Sequence, residues 1–98
     1  IFCFFLIFLL NFLSRFLEKI KLANPEAKIV WVVGGMSNKY LKGVEKAISS
    51  LGGETNGYYC CQVTSDLKDG GGYHPSKSSH AKLANELTDY LNEKILNK

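Results

Sequence analysis

A chain of 98 residues makes at most one small domain with a modest core. Twelve basic against nine acidic residues leave a formal charge of +3, and the lysines run from Lys19 to Lys98 without a cluster or an aromatic-interleaved stripe, which argues against a nucleic-acid partner. Of three cysteines, Cys60 and Cys61 are adjacent and Cys3 lies far off in an apolar run; with no CxxC pair they exclude the common zinc and thioredoxin-like arrangements and read as small apolar core residues.

The first thirteen residues, IFCFFLIFLLNFL, are the most apolar stretch. They fall short of the roughly 20 residues of a bilayer span. No basic residue precedes them and no small-residue cleavage site follows, as a secretory signal requires. Phe12, Leu13, Phe16, Leu17 and Ile20 recur at helical spacing, predicting a helix over residues 9–23 stopped by Asn24-Pro25. This divides the chain into residues 1–13, an apolar segment that is a signal remnant, a buried helix start or a gene-model artefact, and residues 14–98, a partial domain. Membrane association is expected only through residues 1–13. Because the chain opens on Ile1 and not methionine, it is expected to be processed or, preferably, a fragment of a longer reading frame.

Ala27 to Val33 is a nearly continuous β-branched and aromatic run closed by Gly34-Gly35, which predicts a strand buried on both faces as in parallel sheets. From Asn38 to Leu51 the positions Leu41, Val44, Ala47, Ile48 and Leu51 keep helical spacing, ended by Gly52-Gly53. Residues 57–63, GYYCCQV, read as a second strand. The last helix carries Leu83, Ala84, Leu87, Tyr90, Leu91 and Ile95 as its apolar stripe, with Lys82, Glu86, Asp89, Glu93 and Lys94 covering the remainder. Ser76, after the restricted Pro75, is its expected cap, with Ser78 or Ser79 as alternatives. The order of elements predicts an α/β fold with parallel strands joined by right-handed βαβ crossovers.

In such a sheet, ligands bind beyond the carboxyl ends of the strands. Two loops leave those ends, Gly34-Gly35-Met36-Ser37 and residues 64–75, and they are expected on the same edge. The longer holds Asp66, Asp69, three glycines and His74, making it the expected flexible and chemically richest segment. His74 suits a general acid and base because histidine as a residue type can gain or lose a proton near neutral pH; the plain alternative is a loop histidine without a role. His80 reads as a helix-start residue packed toward the core. A metal pair of His74 and His80 lacks a usual ligand spacing, and no metal site is assigned.

The run Asn24-Pro25-Glu26-Ala27-Lys28-Ile29, the strand ending in Gly34-Gly35-Met36, and Tyr73-His74-Pro75-Ser76 followed by His80, Leu83, Ala84 and Leu87 resemble the carboxy-terminal part of SGNH (GDSL-type) esterases. Within that superfamily they are most similar to carbohydrate deacetylases of the acetylxylan-esterase type, carbohydrate esterase family two. The resemblance spans about residues 12–98 and implies the carboxy-terminal portion of a flavodoxin-like three-layer α/β/α sandwich. It implies a serine-histidine ester hydrolase acting on acylated carbohydrate, secreted or at the cell surface, and no cofactor. His74 would take the serine proton and return it to the leaving sugar hydroxyl.

The departures are specific. No Gly-Asp-Ser triplet occurs in the 98 residues, so the nucleophile is expected in a missing amino-terminal half and the chain alone is expected to be inactive. The family often has an aspartate three residues before its histidine, where this chain has Gly71. Asp69 would orient His74 only if the glycines fold the loop back; the alternative, placed ahead of it, is a serine-histidine dyad with a backbone carbonyl as orienter. Gly35, Met36 and Tyr73 are the substrate-lining candidates, with plainer roles as turn, core filler and loop anchor. The alternative to an esterase fragment is a noncatalytic remnant or a small partner-dependent interaction module.

Overall fold

The computed structural model describes the backbone of residues 2–97 and the side chains of residues 10–97; the burial of residues 1–9 and the setting of Cys3 lie outside the described residues. The elements are helix α1 (Phe2–Ala23), strand β1 (Ile29–Val33), helix α2 (Leu41–Ser50), strand β2 (Tyr58–Gln62) and helix α3 (Lys77–Leu91), which widens into a π turn over Asn92–Leu96. Short turns occupy Gly53–Asn56 and Gly71–Tyr73. The two strands form one sheet. Ile29 N–H donates to the Gly57 carbonyl at 2.8 Å and Val63 N–H to that of Val33 at 2.9 Å. Partners therefore rise in number together, so the strands are parallel and α2 lies in the crossover, an α/β arrangement.

Each boundary has a local cause. Asn24 ends α1 by returning its backbone N–H and its side-chain amide to the Ile20 carbonyl, ahead of Pro25. Strand β1 begins two residues later than expected because Ala27 is held in a turn: its N–H donates to the Asn24 carbonyl and its own carbonyl accepts from Lys21 Nζ. Helix α2 starts at Leu41, three residues late, because Ser37 Oγ accepts the Lys39 N–H and holds the preceding residues in a turn. The expectation of a strand buried on both faces is corrected: Val33 is buried, Ile29, Val30 and Trp31 are half-buried, and Val32 is 43% exposed. A pair of strands offers too little cover for a fully buried parallel strand.

The chain forms two compact units. The first comprises the residues up to Trp31 together with Tyr40–Cys60. Here α1 packs on α2, burying Leu13 and Leu17 from one helix and Val44, Ala47 and Ile48 from the other, with Tyr58 and Tyr59 also buried. Phe16 stacks against Phe12 at 6.4 Å between ring centroids and meets Trp31 edge-on at 6.0 Å. Phe12, Phe16 and Leu22 are nevertheless exposed. Among the described residues, no helix is long and apolar enough to cross a membrane.

The second unit comprises Val32–Lys39 and the chain from Cys61 onward. Among its described residues, Val33, Gly35, Cys61, Val63 and Ser79 are buried. Helix α3 keeps most of the expected stripe: Leu83, Leu87, Tyr90 and Leu91 are half-buried, as is Ile95 in the π turn, while Ala84 is exposed. Two polar residues join that inward face, Ser79, buried at 7% exposure, and the half-buried Glu86, whereas His80 is exposed. His80 is therefore not a core-packing residue.

Candidate functional site

All five residues singled out from the sequence, Gly35, Met36, Asp69, Tyr73 and His74, fall in the second unit, on the two loops that leave the carboxyl ends of β1 and β2. Backbone bonds lay these loops side by side. Gly35 N–H donates to the Thr64 carbonyl at 2.8 Å, and its own carbonyl accepts from Leu67 N–H at 2.9 Å. Gly35 is buried, and with its N–H already spent it is a structural clasp with no donor left for an oxyanion. Before it, Gly34 lies so close to Val63 that a Cβ would overlap the Val63 carbonyl oxygen, which explains why glycine closes the strand. Met36 is 39% exposed, so its role as core filler is set aside.

The loop after β2, expected to be the freest part of the chain, is tied along its length. At its start Thr64 donates both its N–H, at 2.9 Å, and its hydroxyl, at 3.0 Å, to Glu86 Oε1 on α3. Near its end the Asp69 carboxylate gathers three donors. Oδ1 accepts from Ser76 N–H at 2.9 Å and Ser79 Oγ at 2.8 Å, and Oδ2 accepts from Ser76 Oγ at 2.7 Å. Ser76 is the cap of α3, its Oγ accepting the Ser79 N–H at 3.2 Å. Bonds from the Ser76 hydroxyl, then the Ser76 backbone N–H, then the Ser79 hydroxyl hold the Asp69 carboxyl well below the usual carboxylate range, so it stays ionised at physiological pH.

Between those anchors a tight turn carries the histidine. Gly70 N–H donates to the His74 carbonyl at 2.6 Å and His74 N–H to that of Gly71 at 3.2 Å. Gly70 is required by close approach, since a Cβ there would lie 2.8 Å from the carbonyl oxygens of both His74 and Pro75. Tyr73 sits at the tip with φ of +63° and 80% exposure, a left-handed conformation rare for a bulky residue. His74 is exposed in extended backbone, presented to solvent just before α3.

The chain does fold back as an Asp69 orienter demands, but it delivers the carboxylate to Ser76 and Ser79. Among the described side-chain hydrogen bonds none joins Asp69 to the His74 imidazole. Two residues that sequence reasoning missed complete the site's frame: Ser79, one of three serines considered as caps, and Glu86, placed on the solvent face of α3. Glu86 Oε2 is buried without a partner. Ser79 and Glu86 are seven apart, two helical turns, and that spacing to each other and to Leu83 was the signal present in the sequence.

Cys61 is 1% exposed, and burial first, then the Glu86 charge, pushes its thiol up, so it remains a protonated core group and not a nucleophile. No cluster of three or more histidine, cysteine or acidic residues able to hold a metal occurs among the described residues. Open depressions in the first unit, along Lys42, Glu45 and Lys46 and around Ile48, Glu54 and Tyr58, contain none of the candidate residues. Comparison of the chain with protein-family models, with curated proteins and with solved structures returns no significant match.

Proposed function

We propose that this chain supplies the histidine of a serine-histidine ester hydrolase of the SGNH type, acting on acetylated carbohydrate, with the serine outside these residues. The observation that carries this reading is the presentation of His74: exposed, on the loop that leaves the carboxyl end of β2, on a turn closed by its own carbonyl and anchored through Ser76 to the start of α3. A histidine without a role needs none of this bracing. In the reaction, His74 accepts the proton of the serine hydroxyl as it attacks the acyl carbon, then donates it to the departing sugar oxygen. The flavodoxin-like sandwich belongs to the same proposal: β1, α2 and β2 form one repeat of such a sheet, and the exposure of Val32 leaves room for further cover. Tyr73, held at the tip beside His74, is the sugar-facing residue best supported by its exposure.

The test is a protein that joins this chain to its upstream coding region. A Gly-Asp-Ser block and acetyl-ester hydrolysis are expected, with His74→Ala lowering kcat by about four to six orders of magnitude. An upstream region without that block, or hydrolysis indifferent to His74, would end the reading.

The exposed Phe12, Phe16 and Leu22 favour a second reading, a partner-dependent module without catalysis. It requires the purified chain to aggregate alone and to become soluble with its partner or detergent; a well-folded monomer rules it out.

A further inference from the structure

We infer that Asp69 is a positioning residue for His74 that works through the backbone of residues 69–79, leaving the imidazole without a carboxylate partner. The catalytic consequence rests on the esterase reading, whereas the clamp itself stands on geometry alone. Asp69 and Ser76 bracket the histidine, and the Asp69 carboxylate binds Ser76 twice, through N–H and Oγ, as well as Ser79 Oγ. Within that bracket, the Gly70 N–H to His74 carbonyl bond, at 2.6 Å, closes the turn a second time. An ionised carboxylate is acceptor-only, so three donors converging on it form charge-assisted bonds, the strong kind, and all three come from the first residues of α3 or its cap. Among the described residues Ser79 is the one buried polar side chain, and Asp69 accepts its hydroxyl hydrogen bond.

The consequence is a division of labour. In a triad the acid fixes the imidazole by holding its Nδ1 proton; here the acid fixes the main chain on both sides of the histidine, and the side chain keeps both ring nitrogens for other partners. Asp69 therefore takes neither the place nor the role of the aspartate that the family often has three residues before its histidine, where this chain has Gly71. Gly70, where a Cβ would meet the His74 and Pro75 carbonyl oxygens, and Gly72, at φ of +64°, are what allow the carboxylate to reach forward past the histidine to Ser76, seven residues on.

The test reads the 98-residue chain directly. Asp69→Ala is expected to speed amide exchange at Gly70, whose N–H closes the turn, on the order of tenfold or more, with the amides of α1 and α2 unchanged. Combining Asp69→Ala with Ser79→Ala should add little, because the two residues share one network. Asp69→Asn, which keeps an acceptor oxygen, should recover part of the protection. The nitrogen-15 spectrum of the His74 ring should keep its tautomer pattern in all these variants. Unchanged exchange at Gly70, or a His74 ring whose tautomer switches in Asp69→Ala, would overturn the inference. Should Asp69→Ala fail to fold, Ser79→Ala alone carries the same exchange test. In an active protein containing this chain, Asp69→Ala is expected to lower kcat on the order of tenfold with KM unmoved and partial rescue by Asn. An inactive protein with intact His74 would instead sink the esterase reading and leave the clamp standing.

Discussion

Around Leu17 the chain is held by apolar burial: Leu13 and Leu17 on α1 sit against the α2 residues Val44, Ala47 and Ile48, which follow one another at helical spacing. Around Ser79 the ordering comes from hydrogen bonds instead, in which Asp69, Ser76, Thr64 and Glu86 join positions seven, ten and twenty-two residues apart. The difference matters for function. Apolar packing is tolerant of detail, whereas carboxylate-hydroxyl networks are directional and fix atoms at defined distances, which is what the proposed role of His74 as a general base would require.

The sharpest way to break this comparison is Leu17→Ala. Leu17 is 1% exposed, so the truncation removes buried side-chain volume and leaves a cavity, a loss of about 2–5 kcal/mol in urea denaturation. Amide exchange in α1 and α2 should accelerate most. Equal acceleration at Gly70 and His74 would show that the loop owes its order to the apolar unit after all.

A smaller effect, in the second unit, is expected from Glu86→Ala. The Thr64 N–H and hydroxyl lose their shared acceptor, a cost of about 1–3 kcal/mol when a donor is left unsatisfied, offset in part by removing the buried, unpartnered Oε2. Denaturant unfolding measures the sum, and exchange at Thr64 and Leu67 should respond before that in α2. A variant more stable than the parent would mean that the cost of burying the carboxylate exceeds the worth of its two bonds.

These contrasts explain what was legible in the sequence. The helices, both strands and their parallel order follow from apolar spacing and from Gly and Pro punctuation, and Ser76 as cap follows from Pro75 before it. The strand's exposed Val32 and the polar members of α3's inward face do not. Periodicity assigns faces by hydrophobicity, so it finds the apolar members of α3's inward face and misses the polar Ser79 and Glu86, which put His80 inside and Glu86 outside. The three glycines were read as freedom. Gly70, by close approach, and Gly72, by its positive φ, belong instead to the locked turn across which Asp69 reaches its donors. That distinction lies in the side chains at the far end of the turn, which local sequence does not weigh.

The smallest predicted effect concerns Tyr73, the point where the two modes of holding the chain leave something over. Its φ of +63° is a conformation that glycine adopts without a Cβ clash and that a bulky residue holds at a cost of roughly 1 kcal/mol. At 80% exposure the ring recovers none of that by burial, so the folded chain alone gives no stability reason for a tyrosine here. Tyr73→Gly should relieve the clash and give part of that back by adding backbone entropy to the unfolded chain, for a net change within about 1 kcal/mol in thermal unfolding. Activity should move the other way: if the exposed ring faces the sugar, KM for the acetylated carbohydrate rises while turnover of a small acetyl ester without a sugar is unchanged. Equal loss on both substrates would assign the strain at Tyr73 to positioning His74, and the tip of the turn would then belong wholly to the network that Asp69 anchors.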